Sequence, residues 1–397
     1  MTGMAVAEAG RLNVPRDRWY NNPLVRSIAI QILLVAIVLG TVYWFANNTV
    51  TNLHERGIAS GFGFLSQRAG FDMVTFLNVT AESTYGYMLL AGLVDTIVVS
   101  VLSIVIATIL GLIVGIARLS SNWLIRTIAT VYVELLRNIP PLLVILFFYL
   151  AVLATLPDVK NAIQIGPDFS LSNRGLFMPA PVFGPNFNIV LIAFVVSLII
   201  AWAVRRWAYA RRMATGQGFP SGWVGLGIVV VLTGIVFVAT GDPLTFDVPV
   251  KTRFNINGGW DLSPEFTSLF VALGVYTASF IAEIVRSGII AVSHGQTEAA
   301  RALGLRGSLV LRLVVLPQAL RVIIPPLASE YLNITKNTSL ALAVGFADLV
   351  AVGNNVLNPT GQSIEVVAIW MIFYLGLSIV ISVAMNWFNA RIALTER

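Results

Sequence analysis

The chain alternates long apolar stretches with shorter polar ones. Each apolar stretch is close to or above the roughly 20 residues that a helix needs to cross a hydrocarbon core of about 30 Å. The stretches are continuous rather than alternating at every second residue, which argues against a transmembrane β-barrel. Eight membrane-spanning helices are predicted, at 27–46, 89–117, 124–152, 188–208, 222–240, 266–290, 325–352 and 364–389.

The composition changes the class of protein that we expect. Of the 397 residues, 57% are hydrophobic and 11% are charged, and the mean hydropathy is +0.84. Soluble domains carry about a quarter charged residues, so we predict an all-α integral membrane protein with about eight transmembrane helices. The chain has no Cys and two distant His residues, His54 and His294, so no metal site is predicted. No cleavage site follows the first helix, which we interpret as a retained anchor.

The distribution of charge predicts the orientation. Most of the 25 Lys and Arg residues lie on the segments that share one side of the membrane with both termini. The positive-inside rule places that side in the cytoplasm, and orientation therefore explains the net charge of +6 better than nucleic-acid binding does. The outer segments 47–88, 153–187 and 241–265 are rich in Gly, Pro, Asn and Asp, and we interpret them as loops with turns. In the first, GFGFLSQRAGF from Gly61 is either a helix at headgroup level or a buried loop cluster.

One cytoplasmic stretch, HGQTEAARALGLRGS at 294–308, has the composition of a water-exposed helix. Thr297 is a candidate N-cap, and Glu298 in the first turn complements the helix dipole. Gly304 is suited to end the helix, and Ser308 is suited to start a second one. From the residues alone, this is either an ordinary surface helix or one whose small alanines let a partner approach closely.

The same stretch resembles the EAA loop of bacterial ABC importer permeases, in which Glu-Ala-Ala, Gly, a hydrophobic residue and Leu-Pro follow at fixed spacing. The matching residues are Glu298, Ala299, Ala300, Gly304, Val314, Leu316 and Pro317. A further stretch, GLVDTIVVSV, resembles the opening of the core permease domain of this family. Three more stretches resemble its polar amino acid branch: YVELLRNIPPLLVILF, AEIVRSGI and LNITKNTSLA. The chain departs from that branch at Asn138, where Gly is usual. Its long layout resembles the general L-amino acid permeases and the glutamate, glutamine, aspartate and asparagine permeases.

The resemblance implies a type I ABC importer permease core of five helices, divided into two blocks. Residues 87–152 would form the first part of the core, and residues 266–397 the second, which includes the EAA coupling loop 294–317. Residues 1–86 would add a cytoplasmic N-terminus, the first transmembrane helix and a periplasmic segment. Residues 153–265 would be an insertion with two transmembrane helices and periplasmic loops. Because the insertion crosses the membrane an even number of times, the second block keeps its orientation.

The resemblance also implies the partners. None of the three Lys residues follows a Gly, so the chain has no phosphate-binding P-loop, and separate ABC ATPase subunits would hydrolyse ATP. This chain would be a transport permease without an enzyme activity or a directly bound cofactor, and the helix carrying Glu298 would dock on the ATPase. A second, different permease and a periplasmic amino-acid-binding protein would complete the heteromeric importer. The importer would lie in the lipid of the bacterial inner membrane and carry L-amino acids into the cell by alternating access. Its substrates would be either L-amino acids in general or the acidic amino acids and their amides.

Charged residues within the spans are candidates for the translocation path, since each costs about 2.5–3.5 kcal/mol at a helix centre. Glu134 and Arg137 lie three residues apart, as do Glu283 and Arg286, so each pair is able to meet on one helix face. The pairs either order their own helices or line the path or the permease interface. Further candidates are Glu330, Lys336, Thr338 and Ser339. The two hydroxyl groups would alternatively bond to neighbouring helices.

Two other functional classes are weaker alternatives. An ion-coupled secondary amino acid transporter would also carry buried charges and broken helices, such as one near Pro140 and Pro141. It gives no reason for the Glu-Ala-Ala spacing in a cytoplasmic loop. A membrane-embedded enzyme is a third possibility, but the sequence has no His cluster, Cys or nucleophile constellation to support it.

Overall fold

The computed structural model describes residues 23–55, 57, 60–252 and 255–392. In that part of the chain, seven helices are long and apolar enough to cross a membrane, or eight if one sharply bent pair is a single span. The predicted number of spans is confirmed. The helices are α1 Pro23–Glu55, α2 Tyr85–Ala117, α3 Trp123–Arg137, α4 Pro141–Leu146, α5 Phe187–Thr215, α6 Ser221–Ala239, α7 Pro264–Ile290, α8 His294–Ala302, α9 Gly307–Val310, α10 Leu316–Asn337, α11 Leu349–Thr360 and α12 Ser363–Ile392.

The centre of the fold is the contact between α2 and α7, around which α3, α4, α10 and α11 pack. Two glycines allow this contact to be close. A Cβ atom on Gly111 would lie 2.6 Å from Cγ2 of Ile281, and one on Gly115 would lie 2.8 Å from Cβ of Val285. Small residues let membrane helices approach to backbone distance, so the two glycines set the spacing of this pair.

The predicted span 124–152 is not one continuous helix, because the structure has two helices there. α3 and α4 meet at a bend of 110°. Pro140 and Pro141 have no backbone N–H to donate, and Pro also disfavours helical geometry in the residue before it. The chain therefore leaves the helix at Asn138 and restarts with Pro141 in the first turn, where a missing N–H is tolerated. Over Phe147–Leu153 the helix widens into π-helical turns.

The predicted span 325–352 is also misplaced. The spanning segment is Gly307–Val344, which contains α9, a wide turn at Leu311–Val315, α10 and a tight 3₁₀ extension at Thr338–Val344. Gly345 then ends it in the left-handed conformation, with φ of 80°. Asp348 caps a separate helix, α11, by accepting from the N–H of Ala351 at 2.8 Å. The apolar run 340–352 thus conceals a helix end and a new helix start.

The outer segments predicted as loops contain β-strands. They are β1 Ile163–Gln164, β2 Ser170–Ser172, β3 Gly175–Met178, β4 Ala180–Phe183, β5 Leu244–Asp247, β6 Val250–Lys251, β7 Ile256–Asn257 and β8 Trp260–Leu262. One antiparallel sheet has the order β1-β2-β3-β8, and β4 pairs with β5 and β6 with β7. Strands β3 and β4 find their partners beyond α5 and α6, so the pairing joins two loops that are distant in sequence. Turn composition alone does not reveal such pairing.

The stretch from Gly61 is the buried loop cluster rather than a helix at headgroup level. It contains a short 3₁₀ turn, Phe62–Ser66, and Phe64 is buried against Tyr85 and Met88 at the start of α2. Phe71 packs against the same cluster, while Phe62 is exposed. This segment covers the contact between the start of α2 and α11.

Helices α5 and α6 pack chiefly against each other. A Cβ on Gly225 of α6 would lie 3.4 Å from Cβ of Ala201 on α5, so the pair is close at that level. Apolar side chains on both helices face outward, including Ile192, Ile199 and Val238. In a membrane these surfaces would contact lipid.

Candidate functional site

The water-exposed helix that was predicted within 294–308 is α8, but it begins one turn earlier than predicted. Its N-cap is Ser293, and no side chain makes a capping hydrogen bond there, so the predicted N-cap role of Thr297 is wrong. Because the helix starts at His294, Glu298 lies in its second turn. The Glu298 carboxylate is 3.0 Å from Nδ1 of His294. Both side chains are exposed, so this contact contributes little to stability.

The end of α8 follows the prediction for Gly304. This residue has φ of 77°, which disfavours any side chain, and the N–H of Leu305 returns to the carbonyl of Ala300 at 3.3 Å. Ala300 is buried, whereas Ala299 and Ala302 are exposed. Leu303 stands 81% exposed at the tip, which is unusual for a leucine in contact with water only.

The loop continues through α9, which begins at Gly307, so the predicted start at Ser308 is displaced by one residue; the N-cap Arg306 makes no side-chain capping bond. Several leucines around the loop are exposed: Leu303, Leu309, Leu311, Leu313 and Leu316. Pro317 lies in the first turn of α10, where it needs no donor. The loop as a whole therefore presents an apolar and small-residue surface beside the polar face of α8.

A four-residue charge network joins α3 and α7 to Arg118, which follows the last residue of α2. Glu283 binds Arg286 on its own helix, with Nη2 to Oε1 at 2.6 Å, as the spacing predicted. It also accepts from Arg118, the residue that caps α2, and from Ser287 at 3.2 Å. Sequence reasoning did not single out Arg118. No local spacing signals it, because Arg118 and Glu283 are far apart in the sequence.

The predicted pairing of Glu134 with Arg137 is wrong. Glu134 instead lies 3.7 Å from Nη2 of Arg118, and Arg137 stacks over the ring of Phe280 at 5.4 Å. The reason is that α3 ends at Arg137, where the chain turns towards Pro140 and the two side chains diverge to different neighbours. Glu330, the candidate on α10, is near enough to Arg137 for the two charges to attract each other.

The remaining candidates on α10 have different settings. Lys336 is exposed, and Ser339 donates to its carbonyl at 2.8 Å. Thr338 is fully buried, donates to the carbonyl of Thr335 at 2.8 Å and lies 3.4 Å from the hydroxyl of Tyr374. Thr338 therefore takes the alternative role of bonding to a neighbouring helix. The candidates thus fall into the charge network, the oppositely charged residues Arg137 and Glu330, and this last group.

A cavity lies where the start of α7 meets the segment before α2 and the turn before α11. Its volume is about 500 Å³, and four carboxylates line it: Asp72, Asp95, Asp261 and Glu265. Asp95 is fully buried and accepts from the N–H of Phe76 at 3.0 Å. Burial raises the pKa of Asp261, which lies outside the membrane-spanning helices, while Arg174 opposes the shift. The single Asp of GLVDTIVVSV was the available sequence signal for Asp95. Across the described residues, no cluster of His, Cys, Asp and Glu forms a metal site.

Comparison with known proteins gives a consistent result. Residues 193–394 match the family described as binding-protein-dependent transport system inner membrane component. The chain is 54% identical over 377 residues to the general L-amino acid transport system permease protein of Rhizobium johnstonii, covering 95% of this chain and 94% of that protein. It is 41% identical over 405 residues to the glutamate/glutamine/aspartate/asparagine transport system permease protein of Rhodobacter capsulatus, covering 94% and 95%. The glutamine transport system permease protein of Escherichia coli is 31% identical over 169 residues, covering 42% and 74%.

Proposed function

Since this chain belongs to the family of binding-protein-dependent transport system inner membrane components, we propose that it is the permease of an ATP-driven importer of L-amino acids. The observation that carries the proposal is its similarity, along nearly its whole length, to the general L-amino acid permease of Rhizobium johnstonii. The substrates would be general L-amino acids or the acidic ones and their amides. No relative supports the ion-coupled alternative.

The coupling site of this importer would be the loop 294–317. The exposed Leu303 and the small side chains of α8 form a surface suited to a groove on another protein. ATP would be hydrolysed on that partner, a separate ATPase, because no Lys of this chain follows a Gly as a P-loop requires. No cofactor would bind directly to this chain.

The remaining partners follow from the same proposal. A binding protein outside would deliver the amino acid, and a second, different permease would complete the pathway. The chain would lie in the bacterial inner membrane with both termini in the cytoplasm, as the charge bias favours. Residues 87–152 and 266–397 would form the core, with 1–86 and 153–265 as additions. The packing of α2 on α7 is compatible with that division.

Arg137 and Glu330 are the residues that we propose for the path or the permease interface. Arg137 of α3 and Glu330 of α10 carry opposite charges, as binding of the carboxylate and ammonium groups of an amino acid would require. Glu134, Glu283 and Arg286 would instead position the inner helix ends through Arg118. Arg137→Ala should then change the ratio of uptake rates among amino acids at unchanged expression. Loss of assembly alone would contradict a lining role.

The proposal is tested by uptake into vesicles. The chain would be reconstituted with the transport proteins that are encoded beside it. Uptake of radiolabelled glutamate, glutamine and leucine would be measured with and without the ATPase. We expect uptake to require the ATPase and ATP, and competition among the three solutes would define the substrate range. Uptake that persists without the ATPase and follows an ion gradient would refute the proposal.

The coupling role has a matched test. Gly304→Asp and Glu298→Lys should abolish transport while leaving membrane insertion intact. Gly216→Asp is the control for the first, because Gly216 also follows a helix end at positive φ, 71° against 77°, with open space around its Cβ position. The backbone strain is thus similar in both variants, and only Gly304 lies in the coupling loop. Equal loss of transport in both would refute a docking role for that loop.

A further inference from the structure

A cavity of about 530 Å³ lies between the ends of α5 and α12, and arginines dominate its lining. Trp202, Arg205, Arg206 and Tyr209 line it from α5, and Arg391 lines it from α12. The four α5 residues follow the spacing i, i+3, i+4 and i+7, so they share one face of the helix. The cavity therefore has three guanidinium groups in its wall and no acidic residue.

The three guanidinium groups have no ion-pair partner in the part of the chain that the structure describes: none of Arg205, Arg206 and Arg391 has a carboxylate at ion-pair distance there. Arg206 stacks over Trp202 at 5.6 Å, and Arg391 stacks over Trp387 at 4.1 Å. Stacking leaves the edges of a guanidinium group free to donate hydrogen bonds, so this wall is suited to bind an anion.

The depth of the cavity selects the kind of anion. The uncharged stretch 187–204 of α5 is about 27 Å long at 1.5 Å per residue, close to the hydrocarbon thickness of about 30 Å. Arg205 and Arg206 come directly after it, at the level of the lipid headgroups. Exposed apolar side chains flank the cavity on both helices, including Ile199 and Phe388. A phosphate attached to acyl chains satisfies both features, whereas a free anion satisfies only the first.

We propose that this cavity binds the phosphate group of an anionic phospholipid, which bridges the inserted helix α5 to the last helix α12. Guanidinium groups bind phosphate through paired hydrogen bonds, and basic pockets between membrane helices hold anionic headgroups. The bridge has a structural purpose, because α5 and α6 pack chiefly on each other. With the orientation proposed above, the lipid belongs to the cytoplasmic leaflet. The binding itself does not depend on transport.

The test is lipid binding to the full-length chain, delipidated in detergent and followed by native mass spectrometry and thermal unfolding. Phosphatidylglycerol, zwitterionic phosphatidylcholine and millimolar inorganic phosphate are the three probes. We expect phosphatidylglycerol to bind and to raise the apparent Tm, and the other two to do neither. Displacement of the lipid by inorganic phosphate would overturn the assignment to a lipid, and equal binding of the two lipids would overturn the need for an anionic headgroup.

Two double variants that lose the same charge distinguish lipid binding in this cavity from nonspecific electrostatic attraction between the lipid and basic residues. Arg205→Gln with Arg391→Gln should weaken phosphatidylglycerol binding about tenfold, since each variant removes one side of the bridge. Arg211 and Arg212 lie further along α5, outside the cavity lining. The double variant Arg211→Gln with Arg212→Gln should therefore leave phosphatidylglycerol binding nearly unchanged. Equal weakening by both would overturn the proposal. If the first variant does not fold, the wild-type comparison of the three probes still decides.

Discussion

Replacing Glu283 with Gln tests whether the charge network holds α2, α3 and α7 together. Glu283 accepts from Arg118 of α2 and from Arg286 of its own helix, and the Arg118 side chain is only 10% exposed. Gln keeps one acceptor oxygen but removes the negative charge between two guanidinium groups. Arg118 would retain only the Glu134 carboxylate, which is 3.7 Å away and 58% exposed.

The expected loss follows from burial and hydrogen bonding. Removing one partner of a fully buried ion pair costs about 3–5 kcal/mol, and a hydrogen bond to a charged group contributes about 1.5–3 kcal/mol. The Glu283 side chain is 22% exposed, and Gln preserves one acceptor oxygen. The lower of the two ranges, that of a hydrogen bond to a charged group, therefore applies. We expect the free energy of unfolding to fall by about 2 kcal/mol, which for a chain of 397 residues corresponds to about 2 °C in apparent Tm.

The assay is thermal unfolding of the purified full chain, with Glu82→Gln as the control. The Arg68–Glu82 and Arg286–Glu283 contacts are both 2.6 Å long, but the side chains of the first are 74% exposed. An exposed pair contributes about 0–1 kcal/mol, so the control should shift Tm much less. The double variant Arg118→Gln with Glu283→Gln should lose less than the sum of the single losses. Equal shifts for the two Glu variants, or strictly additive losses, would refute the reasoning.

Two further predictions concern packing and capping. Gly111→Ala should lower the apparent Tm because its Cβ would lie 2.6 Å from Ile281, whereas Gly227→Ala, which faces open space, should not; equal effects would contradict the close α2 and α7 contact. Asp348→Ala removes the acceptor for the N–H of Ala351 and should destabilise the start of α11 by about 1 kcal/mol, with Asp348→Asn restoring most of it. Hydrogen exchange of the first α11 amides measures the second effect, and unchanged exchange in the Ala variant would disprove it.

The membrane spans were predictable from the sequence because their length is set by the bilayer and not by tertiary partners. The two wrong boundaries lie where local backbone chemistry overrides an apolar run. Pro140 and Pro141 break one predicted span, and Gly345 with Asp348 divides another. The outer strands escaped prediction because β4 pairs with β5 across two intervening helices. Hydrophobic periodicity describes one element at a time and contains no information on such pairs.

The same limit applies to the candidate site. The pair Glu283 and Arg286 was predictable, since three residues along a helix fix both side chains on one face. The identical spacing failed for Glu134 and Arg137, because the helix ends at Arg137 and a partner from another helix competes. Arg118 is that partner, and only the folded arrangement of α2 beside α7 brings it there. Spacing therefore identifies possible pairs, while tertiary contacts select among them.

A displacement of α8 would reach the membrane helices either through α7, which precedes it, or through α10, which follows it after α9. The structure favours the route through α10. α7 buries far more of its length than the span containing α10. Pro325 and Pro326 also remove backbone donors inside α10, which weakens that helix at one point. We therefore expect α10 to bend when the assembled transporter binds ATP, while α7 moves as a rigid body. Because the chain has no Cys, introduced Cys pairs carry spin labels specifically. The α10 pair is Val322 with Leu342, which lies in the 3₁₀ extension of α10, so that the two labels bracket Pro325 and Pro326. The α7 pair is Phe270 with Ile290. A changed distance for the α7 pair and an unchanged one for the α10 pair would refute this route.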